Sequence, residues 1–188
     1  HYDPVIITAA ELKQIVSLHL EELDLSQQTP ARLWRLPVCY EEAFAPDLMD
    51  VVSKTNLSPD EVIALHTSRI LEVAIMGFLP GLGYLTGVDD ALHLPRRSVP
   101  RTFVPQGSVG LAMDQTVIYP LNSPGGWNLI GRMPIPLFDQ KRENPILFSA
   151  GDQVSFYAVN AAKYEELAAS CVDGNLPICP EQADRATL

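Results

Sequence analysis

The stretch VPQGSVGLAMDQTVIYPLNSPGGWNLIGR, residues 104–132, shows the pattern that decides the fold of this chain. Short apolar segments alternate here with glycine, proline and asparagine, residues that break helices and begin tight turns. Three short strands are predicted in this stretch, over Val109–Met113, Thr116–Tyr119 and Trp127–Arg132. Ten of the eleven glycines lie between residues 77 and 151, so strands joined by turns are expected well beyond it.

Three segments outside that stretch also have the character of strands. They are Leu33–Tyr40, Ile70–Phe78 and Gln153–Val159, the last of which alternates apolar residues on one face. Six or more short strands within about 130 residues favour a mainly β fold, either a barrel or a sandwich.

Four helices are predicted outside the glycine-rich part of the chain, at about 8–24, 46–55, 58–68 and 161–172. The first and third begin with the spacing of a capping box, Thr8 with Glu11 and Ser58 with Glu61. The polar segment 26–30, which ends in proline, predicts a linker after the first helix.

The composition argues against several classes of protein. With 13 Lys and Arg against 23 Asp and Glu, the net charge is −10, and nucleic-acid binding is not expected because phosphate neutralisation needs a basic face. No apolar run approaches the ~18 residues of a membrane helix. The three cysteines form no C-x-x-C motif, which favours a reducing cytoplasm over a disulfide framework. No His or Cys cluster has metal-ligand spacing, so no metal is expected.

An arginine-rich segment is the main candidate for ligand binding. Pro95–Arg101 carries three arginines, and residues 93–142 hold six basic and two acidic residues. Arginine suits bidentate recognition of a carboxylate or a phosphate. The alternative is a solvated basic loop that pairs with the acidic remainder of the chain.

Other features near the turns are compatible with a binding site. Ser123–Trp127 lets the backbone approach a ligand beside an aromatic wall, or forms a tight turn with a core tryptophan. The neutral amides Gln115, Asn122 and Asn128 suit an amide or lactam, which offers one donor and one acceptor. His66 lies near the C-terminal end of a predicted helix, where the dipole favours its charged form, although such a histidine more often caps or packs.

Four sequence blocks resemble the motifs of one known family. They are GFLPGLGYL at 77–85, PRRSVPR with VPQGSVG at 95–110, QT with IYP at 115–120, and SPGGW with LIGR at 123–132. Together they are similar to the carboxyltransferase-type "C and D" family. Its members include the KipI-like proteins, the B component of the ATP-dependent 5-oxoprolinase, subunit 1 of allophanate hydrolase and a domain of urea carboxylase. The resemblance covers most of residues 33–159.

The resemblance implies a fold and a division into domains. The expected fold is mainly β, a cyclophilin-like β-barrel over residues 30–160 with a few peripheral helices. Residues 161–188 are expected to form a C-terminal helix and tail. Residues 1–29 resemble the C-terminal remnant of an upstream α/β domain with its linker. Since the chain opens with His1 rather than Met, we expect it to be a fragment.

The resemblance also implies an activity with partners. The expected function is that of the B component of 5-oxoprolinase, which acts with the homologous C component and with the A component to cleave 5-oxoproline to glutamate while hydrolysing ATP. Because no nucleotide-binding motif is present, an ATP site would either be cryptic or lie at an interface between components. The isolated chain is not expected to be active. The alternatives are a KipI-like inhibitor that binds a sensor histidine kinase, and a urea- or allophanate-processing protein of the carboxyltransferase type.

The matched blocks are expected to converge at one end of the barrel as a substrate-binding group. The candidates are Arg96, Arg97 and Arg132 for anion contacts, Gln115 for the lactam, Gly125 and Gly126 for close backbone approach, and the aromatic residues Tyr119 and Trp127. His66 is the one candidate for proton transfer.

Three departures from the family pattern are present: Leu82 stands where phenylalanine is usual, and the other two concern this group. Val117 replaces the glycine that follows Gln-Thr, and Met113–Asp114 replaces a smaller pair. A valine adopts positive φ only with strain, so a site that relied on that glycine would be altered.

Overall fold

The structure is a computed structural model that describes residues 3–22 and 31–182. The chain divides into two compact units, residues 1–30 and residues 31–188. The assignment of the first unit to an upstream domain stays a prediction. None of the helices within the described ranges has both the length and the apolar character that crossing a membrane requires.

The first unit contains one helix, α1, over Ala9–Glu21. The predicted capping box is present, because the Thr8 hydroxyl accepts from the backbone N–H of Glu11 while the Glu11 carboxylate accepts from that of Thr8. The last predicted residues of this helix, 23–24, and the predicted linker at 26–30 lie outside the described residues.

The second unit is built on a closed barrel of seven strands. In chain order the strands of this unit are β1 (Arg32–Cys39), β2 (Ile70–Met76), β3 (Gly83–Thr86), β4 (Arg101–Val104), β5 (Ser108–Ala112), β6 (Gln115–Ile118), β7 (Ser123–Gly125), β8 (Asn128–Arg132), β9 (Gln153–Val159) and β10 (Glu181–Gln182). The barrel runs β1-β8-β5-β6-β3-β2-β9 and closes where β9 pairs with β1. The predicted mainly β fold is therefore confirmed.

One strand pair in this barrel is parallel. β1 and β9 pair in parallel from Leu33 opposite Gln153 to Cys39 opposite Val159, whereas the other neighbours pair antiparallel. Closure removes the free edges that an open sheet would expose.

Strands β4 and β7 form a separate two-stranded ribbon, and β10 pairs with the start of β1. None of these three strands was predicted, nor was β3. All four contain only two to four residues, too few to show an alternating pattern.

Three helices accompany the barrel: α2 (Leu48–Thr55), α3 (Pro59–Ser68) and α4 (Ala161–Ser170). The capping box of Ser58 and Glu61 begins α3 as predicted. The predicted positions hold to within two residues, and residues 100–150 contain no α-helix.

The buried side chains form two clusters. The larger includes Leu36, Val109, Leu111, Ile118 and other inward residues of the barrel strands. The smaller one consists of Leu82, Val104, Ala112, Val117, Tyr119, Trp127 and Leu129. Because neighbouring residues of β5, β6 and β8 fall in different clusters, the smaller cluster lies on the outer face of these strands, where Val104 of the ribbon covers it.

Candidate functional site

The arginines of the described chain fall into two groups. Five have a carboxylate within 4 Å: Arg32, Arg35, Arg69, Arg97 and Arg101. Across residues 3–22 and 31–182, three have no carboxylate that close: Arg96, Arg132 and Arg142. The second group is free to meet the anionic part of a ligand.

Asp47 holds two of the three arginines in the Pro95–Arg101 segment. Its carboxylate, 2% exposed, accepts from Arg97 at 2.7 Å, from Arg101 at 2.6 and 2.8 Å, and from the backbone N–H of Leu129 at 2.7 Å. The guanidinium of Arg97, a predicted anion contact, is thus bound to a carboxylate of its own chain. Asp47 was not predicted: an aspartate just before a helix is typical of an N-cap, but its side chain makes no capping hydrogen bond.

Arg96 directly precedes Arg97 in the chain, but its side chain points elsewhere. Its guanidinium carbon is 5.1 Å from the centre of the Trp127 ring, a cation–π contact. Trp127 is buried and packs against Tyr84, with ring centres 6.1 Å apart. Arg96 itself is exposed. We call the pair of Arg96 and Trp127 the Arg96 platform.

Tyr119 and Gly125 lie beside Trp127. A Cβ atom on Gly125 would overlap the Tyr119 hydroxyl and lie 2.8 Å from its Cζ, so only glycine fits there. Burial raises the pKa of Tyr119 to about 12, which keeps the hydroxyl protonated. The neighbouring Gly126 carbonyl accepts from the Arg97 N–H at 2.8 Å, which fastens the arginine segment to this turn.

Gln115 is separated from the Arg96 platform. It begins β6 opposite Ala112 and Thr86, whereas Tyr119 follows the other end of that strand, roughly 13 Å along the backbone at about 3.3 Å per residue. None of the hydrogen bonds among the described residues links Gln115 to Tyr119, Gly125 or Trp127.

Arg132 also lies apart from the platform, because it ends β8 while Trp127 precedes the strand. Its guanidinium carbon is 5.8 Å from the centre of the Phe44 ring. The Phe44 ring packs on Tyr164 of α4, with centres 4.5 Å apart. The structure therefore brings Arg96, Tyr119, Gly125, Gly126 and Trp127 together, while Gln115 and Arg132 lie at other positions.

His66 is a buried core residue. Its Nδ1 is 2.7 Å from the Tyr40 hydroxyl, its Nε2 is 3.2 Å from the Thr116 hydroxyl, and its ring stacks on Phe156. Burial lowers its pKa to about 3, which overturns the expectation that the helix dipole favours the charged form. A proton-transfer role stays a prediction that this neutral, enclosed imidazole does not support.

The sequence profile described as "Carboxyltransferase domain, subdomain C and D" matches residues 1–148. The chain belongs to this family. Two curated relatives within the carboxyltransferase-domain family are named as the B component of 5-oxoprolinase. The one from Bacillus subtilis is 40% identical over 153 residues, which are 81% of this chain and 64% of the relative. The one from Escherichia coli O157:H7 is 46% identical over 126 residues, 67% of this chain and 58% of the relative. The chain thus spans about 60% of the length of these relatives.

Two solved structures share the fold of this chain. A conserved uncharacterised protein of Pyrococcus horikoshii is 35% identical, with a TM-score of 0.68 over 87% of this chain and 74% of that chain. The urea amidolyase of K. lactis is 20% identical, with a TM-score of 0.74 over 97% of this chain and 13% of that chain. At that identity the likeness concerns the fold only.

Of the departures from the family motifs, Val117 occupies a regular strand position and Met113 lies in a turn. Val117 is a buried residue of β6, paired with Tyr84 and Gly110, and its φ is not positive. The strain expected at Val117 is therefore absent. Met113, in the turn between β5 and β6, does adopt a positive φ of 55°.

No group of three or more His, Cys, Asp or Glu side chains within residues 3–22 and 31–182 is arranged to hold a metal ion. Sequence reasoning missed Arg142 and Tyr164 as well as Asp47. No short motif contains Arg142 or Tyr164, and only packing shows them near Pro136 and Arg132.

Proposed function

We propose that this chain contributes the B component of an ATP-dependent 5-oxoprolinase, which opens 5-oxoproline to glutamate together with the A and C components. The identity of 40–46% to proteins that carry this name supports the activity. The observation that carries the site is Arg96, the one arginine of the Pro95–Arg101 segment that no carboxylate within the described residues binds.

The chemistry of lactam opening calls for such a residue. An unactivated lactam is a poor electrophile, and transfer of a phosphoryl group from ATP to its oxygen activates the carbon for attack by water. Charge develops on the phosphate while the substrate carboxylate stays ionised. A guanidinium held in place beforehand stabilises that charge because little reorganisation is needed as it forms.

The Arg96 platform supplies this preorganisation. Asp47 fixes Arg97 and Arg101, which both follow Arg96 in the chain, and the Trp127 ring holds the Arg96 guanidinium. Since Arg96 is exposed, we place the platform at the boundary with a partner component, with the ATP site shared between them. The three cysteines are free thiols, which is compatible with a cytoplasmic complex.

The test is ATP-dependent release of glutamate from 5-oxoproline by this chain mixed with the A and C components. Arg96→Ala is expected to lower turnover at least tenfold without changing the melting temperature, since losing a charge-assisted hydrogen bond costs about 1.5–3 kcal/mol. Arg35→Ala is the matched control, because Arg35 makes an exposed ion pair with Glu181.

Three outcomes would count against the proposal. Full turnover by this chain alone would refute the proposal that the A and C components are required. A lower melting temperature with unchanged turnover per folded molecule would make Arg96 a structural residue. Binding to a sensor histidine kinase, with no lactam cleavage in the mixture, would favour the KipI-like alternative instead.

A further inference from the structure

A second site opens beside the far end of β8, away from the Arg96 platform. A cavity of about 170 Å³ lies there, lined by Gln106, Gly107, Met133, Pro134, Ile135, Pro136, Leu137 and Tyr164. Its volume far exceeds the ~15 Å³ that a single water needs and falls below the ~300 Å³ at which drug-sized pockets begin. The cavity therefore has the size for a small metabolite.

The cavity lining is polar and apolar in about equal parts, and the apolar part is stiff. Met133, Ile135 and Leu137 are buried, and Pro134 and Pro136 between them fix the backbone torsion φ. The backbone at residue 107 lies directly against this wall, and only glycine fits there. Gly107 has a φ of +81°, and a Cβ at this position would overlap the Met133 carbonyl. Rigid apolar walls suit the carbon skeleton of a ligand better than they suit a bare inorganic ion.

Two arginines lie next to residues of the cavity lining. Arg132 precedes Met133 in the chain, and its buried Nε–H has no hydrogen-bond partner among the described residues. Arg142 donates from Nη2 to the Pro136 carbonyl at 2.6 Å, and its buried Nε and Nη1 also lack partners there. Buried donors without acceptors are rare in folded proteins and costly, so the unpartnered Nε–H of Arg132, whose side chain lies beside Gly107 of the lining, favours an anionic acceptor there.

Uncharged polar groups complete the lining. The Tyr164 ring is held by Phe44, whose own ring lies beside the Arg132 guanidinium. Burial raises the pKa of Tyr164, so its hydroxyl stays protonated and can donate. Gln106 is exposed and marks the solvent side, where its amide offers both a donor and an acceptor.

We propose that this cavity binds a small organic acid, with the carboxylate on Arg132 and Tyr164 and the uncharged remainder between Gln106 and the Met133–Leu137 wall. The site is distinct from the Arg96 platform. It does not depend on the 5-oxoprolinase activity, because binding is a property of this chain by itself.

The experiment is nitrogen–proton NMR of the Arg Nε–H signals of this chain during titration with acetate, glutamate and 5-oxoproline. At least one acid is expected to shift the Arg132 Nε–H signal in a saturable way. The neutral lactam 2-pyrrolidinone, which has the ring of 5-oxoproline without its carboxylate, is expected to leave that signal unchanged.

Variants separate binding from folding. Arg132→Lys keeps the charge but loses the planar guanidinium, and it is expected to lower the affinity for the acid tenfold or more. Arg35→Lys, the control, is expected to leave that affinity unchanged. Tyr164→Phe, which removes only the hydroxyl, is expected to lower the affinity for the acid as well. This variant tests the proposal if Arg132→Lys fails to fold.

The proposal is overturned if none of the three acids gives a saturable shift, or if Arg132→Lys and Tyr164→Phe both bind like the wild type. It is also overturned if inorganic phosphate shifts the signal while no acid does, or if Arg96→Lys rather than Arg132→Lys abolishes binding. Absence of acid binding with intact 5-oxoproline turnover in the assembled mixture would contradict this inference and leave the proposed function standing.

Discussion

Arg101 donates a hydrogen bond to each carboxylate oxygen of Asp47, with Nη1 2.8 Å from Oδ2 and Nη2 2.6 Å from Oδ1, although 54 residues separate the two in the chain. Arg97 binds the same carboxylate at 2.7 Å. Since Asp47 is buried, these ion pairs join the start of α2 to the arginine segment and set the backbone from which Arg96 projects.

Asp47→Asn is expected to lower the free energy of unfolding by about 3 kcal/mol, because it leaves two partly buried guanidinium groups without their counter-charge. Urea denaturation measures the change. Asp50→Asn is the control, since Asp50 is 61% exposed and lies 3.5 Å from Arg97, so a loss below about 0.5 kcal/mol is expected. Equal losses for the two variants would show that Asp47 does not hold the segment.

Gly125→Ala is expected to destabilise the chain by about 1–3 kcal/mol, because the new methyl group meets the buried Tyr119 ring. Gly126→Ala is the matched neighbour: its Cβ would lie no closer than 3.7 Å to any atom, and a change of less than about 1 kcal/mol is expected. Thermal unfolding compares the two. Adding Tyr119→Phe to Gly125→Ala should restore part of the lost stability, because it removes the hydroxyl that the new methyl group meets. If stability is not restored, the methyl group clashes with another group.

The pH dependence of stability should report on His66. Its pKa is about 3 in the folded chain and near 6.5 when unfolded, so the unfolded chain binds the extra proton as the pH falls. The stability from the neutral imidazole is complete above pH ~6.5 and is lost progressively toward pH ~3. Between pH ~6.5 and ~5.5 the wild type is expected to lose about 1 kcal/mol more than His66→Gln. Denaturation curves at each pH give the free energy of unfolding of both proteins. If that free energy falls equally for the two over this pH range, His66 has an ordinary pKa in the folded chain.

Met113→Gly is expected to raise the free energy of unfolding by about 0.5 kcal/mol. Met113 has a φ of 55°, and removing a Cβ from the left-handed region relieves about 1–2 kcal/mol, partly offset by the entropy of glycine in the unfolded chain. Asp114→Gly, at the adjacent position whose φ is not positive, is expected to lower stability. Chemical denaturation of the three proteins measures both changes. If Met113→Gly lowers stability too, packing of the half-exposed methionine outweighs the backbone strain.

The sequence by itself determined those features that depend on residues close together in the chain. The Ser58–Glu61 capping box placed the start of α3, because it needs only a three-residue spacing. Alternation over seven residues placed β9 correctly, whereas β7, with three residues, was too short to show a period. The family blocks were likewise readable because each is continuous.

Only the tertiary structure decided what the candidate site residues touch. Three arginines that look alike in sequence differ in role: Arg97 meets Asp47 from 50 residues away, Arg96 meets Trp127, and Arg132 meets Phe44 at the opposite end of β8. The partner of an arginine depends on strand register and barrel closure, which are set by packing over the whole chain rather than by spacing along it. For the same reason the helix position of His66 suggested a charged group, while burial against Tyr40, Thr116 and Phe156 made it neutral.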